Sequence, residues 1–178
     1  QRNQTFLLEG MWIRFLPSMY RVLSLIEKGT IGNIVHIKAD MSYRAPYEPG
    51  GRFFNPELGG GSLLDLGVYP VFLSLLLLGK PSRISASGKL SDQGIDETCA
   101  ALLSYEHGRY ALAESSIITQ TSKDAVIYGD KGLIRIEKQW NEKPSAITLE
   151  TYDGTIMKYP CEWEGRGFQY EIEEVYAC

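Results

Sequence analysis

Hydrophobic positions follow a helical period near the start of the chain and an alternating period further on. Apolar residues at positions 16, 19, 20, 23 and 26 recur at helical spacing, which predicts an α-helix over residues 16–28 that Gly29 ends. Over residues 34–43 every second residue from Val35 to Tyr43 belongs to one apolar side, the pattern of a half-buried β-strand. The chain therefore begins with a helix followed by a strand.

The longest apolar run covers residues 66–78. It is shorter than the roughly 20 residues that a membrane-spanning helix needs. Asp65, Pro70 and Ser74 also lie at or within the run. We therefore predict a buried helix here and expect no membrane association.

The second half of the chain has the short, alternating pattern of β-strands. Strands are predicted over residues 82–90, 98–105, 109–118, 123–128, 133–137, 146–151 and 155–159, and a further helix is predicted to be in progress over residues 171–178. The predicted fold class is α+β, a mostly antiparallel open β-sheet with helices packed on one face. No linker divides residues 1–178, so one domain is expected.

Composition narrows the class of protein further. The chain has 178 residues, 44% of them hydrophobic and 22% charged, which suits one ordinary globular domain. A net charge of -4 with scattered basic residues provides no basic surface, so nucleic acid is not an expected partner. Cys99, Cys161 and Cys178 lack metal-type spacing and suit a reducing compartment, hence a cytoplasmic location. The histidines, His36 and His107, have no ligand-spaced companions, so no metal site is expected.

Both ends of the sequence are expected to continue in a longer protein. The chain opens on Gln1 without an initiator methionine, and its last residues have the pattern of an unfinished helix.

Candidate chemistry lies directly after a glycine triplet at residues 59–61. Three glycines permit close approach of a ligand to the main chain. Asp65 and Tyr69 follow four residues apart, which places both on one face of a helix. A phenol and a carboxylate can form a proton-transfer pair. The same spacing also fits a carboxylate that only balances the helix dipole and a tyrosine that only fills the core.

Residues 59–70, Gly-Gly-Gly-Ser-Leu-Leu-Asp-Leu-Gly-Val-Tyr-Pro, resemble a known signature. It is the Gly-Gly-Gly-x-x-x-Asp-x-Gly-x-His/Tyr motif in the C-terminal domain of the glucose-fructose oxidoreductase / inositol dehydrogenase / MocA family. Residues 8–17 are similar to the segment that follows the family's dinucleotide domain, and residues 29–32 to its helix-to-strand turn. The resemblance covers nearly the whole chain. Residues 11–15, 54–56 and 69–70 are most similar to the trans-dihydrodiol dehydrogenase and NADP-xylose dehydrogenase branch.

The resemblance implies a two-domain oxidoreductase that moves hydride between NAD(P), with NADP slightly preferred, and a CH–OH group of a dihydrodiol, sugar or polyol. It also implies an N-terminal Rossmann domain that binds the dinucleotide. In the family, a lysine in a Glu-Lys-Pro motif of that domain is central to proton transfer. This sequence has Tyr69 at the usual histidine, and it contains no Gly-x-Gly-x-x-Gly. Its Glu142-Lys143-Pro144 falls among the late strands, so we interpret Lys143 as a solvated loop residue and expect this chain alone to be inactive.

The resemblance assigns roles to particular residues. Asp65 and Tyr69 would be catalytic, with Asp65 holding the missing lysine or a substrate hydroxyl. Trp12 and Arg14 would border the substrate cleft, the ring as a floor and the guanidinium as a forked donor. The alternative is that Trp12 is a core residue and Arg14 belongs to a domain-interface ion pair.

The loop before the glycines and the strand tyrosines complete the predicted features. Arg44, Phe53 and Phe54 are expected to cover the substrate, although these residue types also occur as plain loop anchors. Five tyrosines are predicted to line one sheet face: Tyr105, Tyr110, Tyr128, Tyr152 and Tyr159. The resemblance favours a homodimer formed sheet against sheet, which would cover an apolar face. Two other functions stay open, a noncatalytic sensor or scaffold that binds a sugar or dinucleotide, and a pure dimerisation module.

Overall fold

The computed structural model describes residues 6–178 and begins with helical structure. A 3₁₀ helix, Trp12–Phe15, leads into α1, Pro17–Glu27. Pro17 stands in the first turn, where its missing N–H has no helical partner to lose. Met19, Val22 and Leu25 are buried at helical spacing. The first predicted helix is therefore confirmed.

The predicted apolar helix forms, but with an irregular start. After a 3₁₀ turn at Pro56–Leu58, the chain makes a π-helix over Leu63–Gly67 and then continues as α2, Val68–Leu78. Leu73 is fully buried, and the buried Ser74 hydroxyl donates to the carbonyl oxygen of Pro70 at 2.8 Å. A π-turn inside a helix often marks a functional site, and nothing in the apolar pattern predicts it.

Residues 56–78 also meet a length and composition criterion for a membrane-spanning helix, with a mean hydropathy of 1.8. This is weak evidence, because the core helix of a soluble protein meets the same criterion. Here the segment is divided into three short elements.

Within residues 6–178, eight strands form one open sheet. After β1, Ile34–Ser42, come β2, Arg83–Leu90; β3, Asp96–Ser104; β4, Tyr110–Ser116; β5, Ala125–Gly129; β6, Gly132–Ile136; β7, Ala146–Thr151; and β8, Ile156–Pro160. Their order across the sheet is β2-β3-β4-β1-β5-β6-β7-β8. The β1–β4 pair is parallel and every other neighbouring pair is antiparallel. The predicted class, a mostly antiparallel α+β fold, is confirmed.

The core lies between one face of the sheet and the helices α1 and α2. Ile37 on β1 pairs with Ala111 on β4 and Ile127 on β5, and all three are fully buried. Burying an isoleucine side chain stabilises a fold by about 1.5–3 kcal/mol. A third helix, α3 over Phe168–Ala177, packs against the Trp12–Phe15 segment.

The expectation that five tyrosines share one sheet face is wrong. Tyr110 and Tyr128 flank His36 on the face away from the helices, with ring centroids 4.8 and 4.2 Å from the imidazole. Burial of this imidazole lowers the pKa of His36. Tyr105 instead belongs to the buried core, and Tyr152 lies exposed in the β7–β8 turn. Successive side chains on a strand point to opposite faces of the sheet. Tyrosines whose positions differ by one residue in the register between paired strands therefore lie on opposite faces.

Candidate functional site

A cavity of about 780 Å³ lies where the start of α2, the Trp12–Phe15 segment, the β6–β7 loop and the turn before α3 meet. Asp65 and Tyr69 both border it, as does Trp12. The structure thus brings together three of the residues singled out from the sequence.

The start of the segment that carries Asp65 is fixed by Asp96 on β3. The Ser62 hydroxyl and the Leu63 amide each donate to Oδ2 of Asp96 at 2.7 Å. Ser62 is fully buried, and its hydroxyl also lies 3.0 Å from that of Ser115. Gly61 has φ +126°, and a Cβ there would stand 2.2 Å from Oδ1 of Asp96. The last glycine of the triplet is therefore required for this close approach.

Asp65 forms an ion pair with Arg52, a residue of the glycine-rich loop. The Arg52 side chain is 68% exposed and that of Asp65 is 24% exposed. An ion pair with so exposed a partner is worth about 0–1 kcal/mol. The carboxylate can therefore exchange Arg52 for another cation or for a hydroxyl group at little energetic cost.

Tyr69 contacts the aromatic floor of the cavity. Its hydroxyl oxygen accepts a hydrogen bond from Nε1 of Trp12 at 3.4 Å. Trp12 is buried, and its ring lies 4.6 Å from that of Phe168 on α3. Because the indole only donates, the phenol keeps its own hydrogen to donate to a bound molecule.

Arg14, Arg44 and Phe53, three other residues named from the sequence, do not border this cavity. The Arg14 guanidinium lies 5.6 Å from the centre of the Tyr20 ring. Arg44 is exposed. Phe53 packs against a second hydrophobic cluster, with its ring 5.6 Å from that of Tyr43. Burial of its apolar ring explains why Phe53 turns away, and substrate contacts for all three residues stay predictions.

Sequence reasoning missed much of the cavity wall. Asn141 and Lys143 reach it from the β6–β7 loop, Arg166 from the turn before α3, and Phe168 from the first residue of α3. Lys143 is exposed, as expected, but it is more than a solvated loop residue. Its ammonium donates to the carbonyl oxygen of Trp163 and lies 5.4 Å from the centre of that ring. No local pattern signals these residues, since only the fold brings the loop to α2.

The cavity lining combines charged, neutral polar and aromatic side chains. A carboxylate, a phenol and an amide supply acceptors and donors, and the Trp12 and Phe168 rings supply apolar surface. Within residues 6–178 no group of three or more His, Cys, Asp or Glu side chains is placed to hold a metal ion.

Comparison with known proteins identifies the family. Residues 19–135 match the family model described as GFO/IDH/MocA C-terminal domain, and this range includes the glycine signature. The chain belongs to the GFO/IDH/MocA family. The family resemblance drawn from residues 59–70 is therefore confirmed.

Curated relatives of this chain include trans-1,2-dihydrobenzene-1,2-diol dehydrogenases. The one from Xenopus laevis is 34% identical over 100% of this chain and 55% of its own length. The one from Mus musculus is 36% identical over 93% of this chain and 48% of its own length. The chain thus spans about half the length of these relatives.

Solved structures of other oxidoreductases show the same fold. An aldose-aldose oxidoreductase from Caulobacter crescentus, complexed with glycerol, superposes with a TM-score of 0.81 and 20% identity over 94% of this chain and 51% of that one. A 3-ketoreductase from Actinomadura kijaniata, in complex with NADP and TDP-benzene, superposes with a TM-score of 0.80 and 22% identity over 99% of this chain and 55% of that one.

Proposed function

We propose that this chain is the substrate-binding part of an NAD(P)-dependent dehydrogenase. The reaction is transfer of hydride between nicotinamide and a CH–OH group of a dihydrodiol, sugar or polyol. The observation that carries the proposal is the convergence of Asp65 and Tyr69 on one cavity floored by Trp12. Family membership and the dihydrodiol dehydrogenase relatives support it.

The residues of this chain bind and orient the alcohol and hydrogen-bond to the oxygen that loses its proton. Oxidation requires removal of the hydroxyl proton and stabilisation of the developing alkoxide. The hydroxyl proton would pass to the lysine that the resemblance implies in the N-terminal domain, while the Tyr69 hydroxyl, which accepts from Trp12, donates a hydrogen bond that stabilises the developing alkoxide. The Asp65 carboxylate binds a cation beside the substrate. In this structure Arg52 occupies the place of that cation. The Trp12 and Phe168 rings bury the carbon skeleton and exclude water.

Nicotinamide, when bound, supplies the hydride acceptor. The 780 Å³ cavity leaves room for a flat ring beside a small alcohol, and the exposed Arg166 provides a cation at its edge. The sequence contains no Gly-x-Gly-x-x-Gly. We therefore assign the main dinucleotide site to an N-terminal Rossmann domain of the full-length protein, with NADP slightly preferred, and expect this chain alone to be inactive.

The test uses the full-length protein with NAD⁺ or NADP⁺ and a panel of trans-dihydrodiols, aldoses and polyols, followed by the absorbance of reduced nicotinamide. Tyr69→Phe and Asp65→Asn should each lower kcat by roughly 10²–10⁴-fold, the usual contribution of a proton-transfer group. Tyr152→Phe and Asp92→Asn, which make the same chemical changes at exposed positions outside the cavity, should leave kcat unchanged.

Two results would contradict the proposal. Turnover that survives both Tyr69→Phe and Asp65→Asn would remove these residues from the reaction. Ligand binding that depends on Asp65 without any turnover would favour the noncatalytic sensor instead.

We also propose that the chain forms a homodimer through the sheet face away from the helices. Leu102 is 37% exposed on that face, close to the row formed by Tyr110, His36 and Tyr128. Leu102→Glu should convert dimer to monomer in sedimentation equilibrium. Ile84→Glu is the control, because Ile84 pairs with Leu103 and so points to the opposite side of the sheet. A dimer that survives Leu102→Glu would refute this interface.

A further inference from the structure

We infer that Asn141 is a further substrate-binding residue, whose side-chain amide binds a second hydroxyl group of the substrate. The inference rests on the proposed function, because it adds a contact to the same cavity. Asp65 comes from the π-helix before α2 and Tyr69 from the first turn of α2, whereas Asn141 comes from the β6–β7 loop. The cavity therefore has polar groups on two separate elements.

The β6–β7 loop holds Asn141 in place before any ligand binds. Its neighbour Trp140 is 1% exposed, and the Trp140 indole donates to the carbonyl oxygen of Asp40 on β1 at 2.9 Å. The backbone N–H of Gln139 donates to the backbone carbonyl oxygen of Lys123 at 2.9 Å. The backbone N–H of Glu142 donates to the backbone carbonyl oxygen of Gln139 at 2.8 Å. A site built on such fixed backbone loses little conformational entropy on binding.

One polar atom of the Asn141 side chain lacks a hydrogen-bond partner within the described residues. The residue is only 3% exposed, and its Oδ1 is buried without a hydrogen-bond partner among residues 6–178. A buried acceptor left unpaired is destabilising. Native structures contain few such groups, and each calls for an explanation. Rotation of the carboxamide that turns this oxygen into the cavity would let a ligand hydroxyl donate to it and remove the penalty.

The Asn141 side chain contributes a neutral polar group to this wall. A carboxamide offers both donors and an acceptor in either orientation of the group, as a hydroxyl group requires. The nearby Lys143 ammonium is engaged with the carbonyl oxygen and the ring of Trp163. The polar contact available from Asn141 is therefore neutral, which fits a diol or sugar hydroxyl better than a carboxylate.

The test compares two probes that differ by one hydroxyl group, the trans vicinal diol of cyclohexane and cyclohexanol. Their dissociation constants are measured on the full-length protein by ligand-observed NMR titration. A neutral hydrogen bond worth about 0.5–1.5 kcal/mol makes the diol bind about 2–12-fold more tightly than cyclohexanol. Asn141→Leu, which is nearly isosteric, should abolish that preference. Gln120→Leu, at an exposed loop position, should keep it.

Each outcome decides between the two proposals. A wild-type protein that binds neither probe overturns the proposed function together with this inference. A diol preference that persists in Asn141→Leu, while Tyr69→Phe still abolishes turnover, overturns only the role of Asn141. Should Asn141→Leu fail to fold, Asn141→Ala removes the amide with less added apolar volume and is compared in the same way. Loss of the preference in a folded Asn141→Ala variant supports the inference, and an unchanged ratio refutes it.

Discussion

Asp96 is expected to stabilise the segment that carries Asp65, although it lies on β3 and outside the cavity. Its carboxylate accepts two hydrogen bonds of 2.7 Å from the chain that follows the glycine triplet, one from the Ser62 hydroxyl and one from the Leu63 amide. Asp96→Ala removes both acceptors. The buried Ser62 hydroxyl then keeps only its contact with Ser115 at 3.0 Å.

The expected loss of stability follows from the different environments of these two hydrogen bonds. A hydrogen bond to a charged group contributes about 1.5–3 kcal/mol when water cannot replace it. That range applies to the hydrogen bond from the buried Ser62 hydroxyl. The loss there is smaller than the full range because Ser115 remains as a hydrogen-bond partner. The Leu63 bond lies at the surface, where water takes over most of its contribution. We expect Asp96→Ala to lower the free energy of unfolding by about 2 kcal/mol, a fall in Tm of about 4–8 °C for a chain of this size.

Urea unfolding of wild type and variant, followed by circular dichroism, measures this difference. Asp96→Asn keeps one acceptor oxygen and should lose about half as much, since the bonds become neutral. Asp92→Ala, at an exposed position of the same β2–β3 hairpin, should change stability by less than about 0.5 kcal/mol. The reasoning is refuted if Asp96→Ala is no less stable than Asp92→Ala.

Three further predictions concern other parts of the fold. The Ser145 hydroxyl, together with a lysine, lowers the pKa of Glu137 to about 2 from its usual 4.5, so Glu137→Gln should destabilise the chain at neutral pH. That difference should shrink as pH falls from about 4.5 toward 2, and a pH-independent difference in urea midpoints would contradict it. Trp140→Phe removes the bond to the Asp40 carbonyl oxygen and should cost about 1–3 kcal/mol in urea unfolding, whereas an unchanged midpoint would mean that the loop is held otherwise. Gly60→Ala would place Cβ 2.8 Å from two main-chain carbonyl oxygens and should lower Tm, with a loss of about 1–3 kcal/mol; wild-type Tm would show that the loop can relax.

Local patterns in the sequence determined the elements and half of the site. The helical period over residues 16–28 and the alternation after residue 34 report which face of each element is buried, and the structure confirms both elements. Asp65 and Tyr69 could be found from the sequence because they lie four residues apart, next to a glycine triplet that can adopt backbone conformations closed to other residues. The family signature is local for the same reason.

Tertiary structure alone decided what surrounds that half-site. The Trp12–Tyr69 bond joins residues 57 positions apart, and the Trp140–Asp40 bond that anchors the β6–β7 loop joins residues 100 positions apart. Periodicity shows that a strand has a buried face but not which strand pairs with it, so neither the parallel β1–β4 pair nor the place of Asn141 beside the cavity can be read from the sequence. Contacts between residues so far apart in the sequence form only when the sheet and the helices pack together around the core.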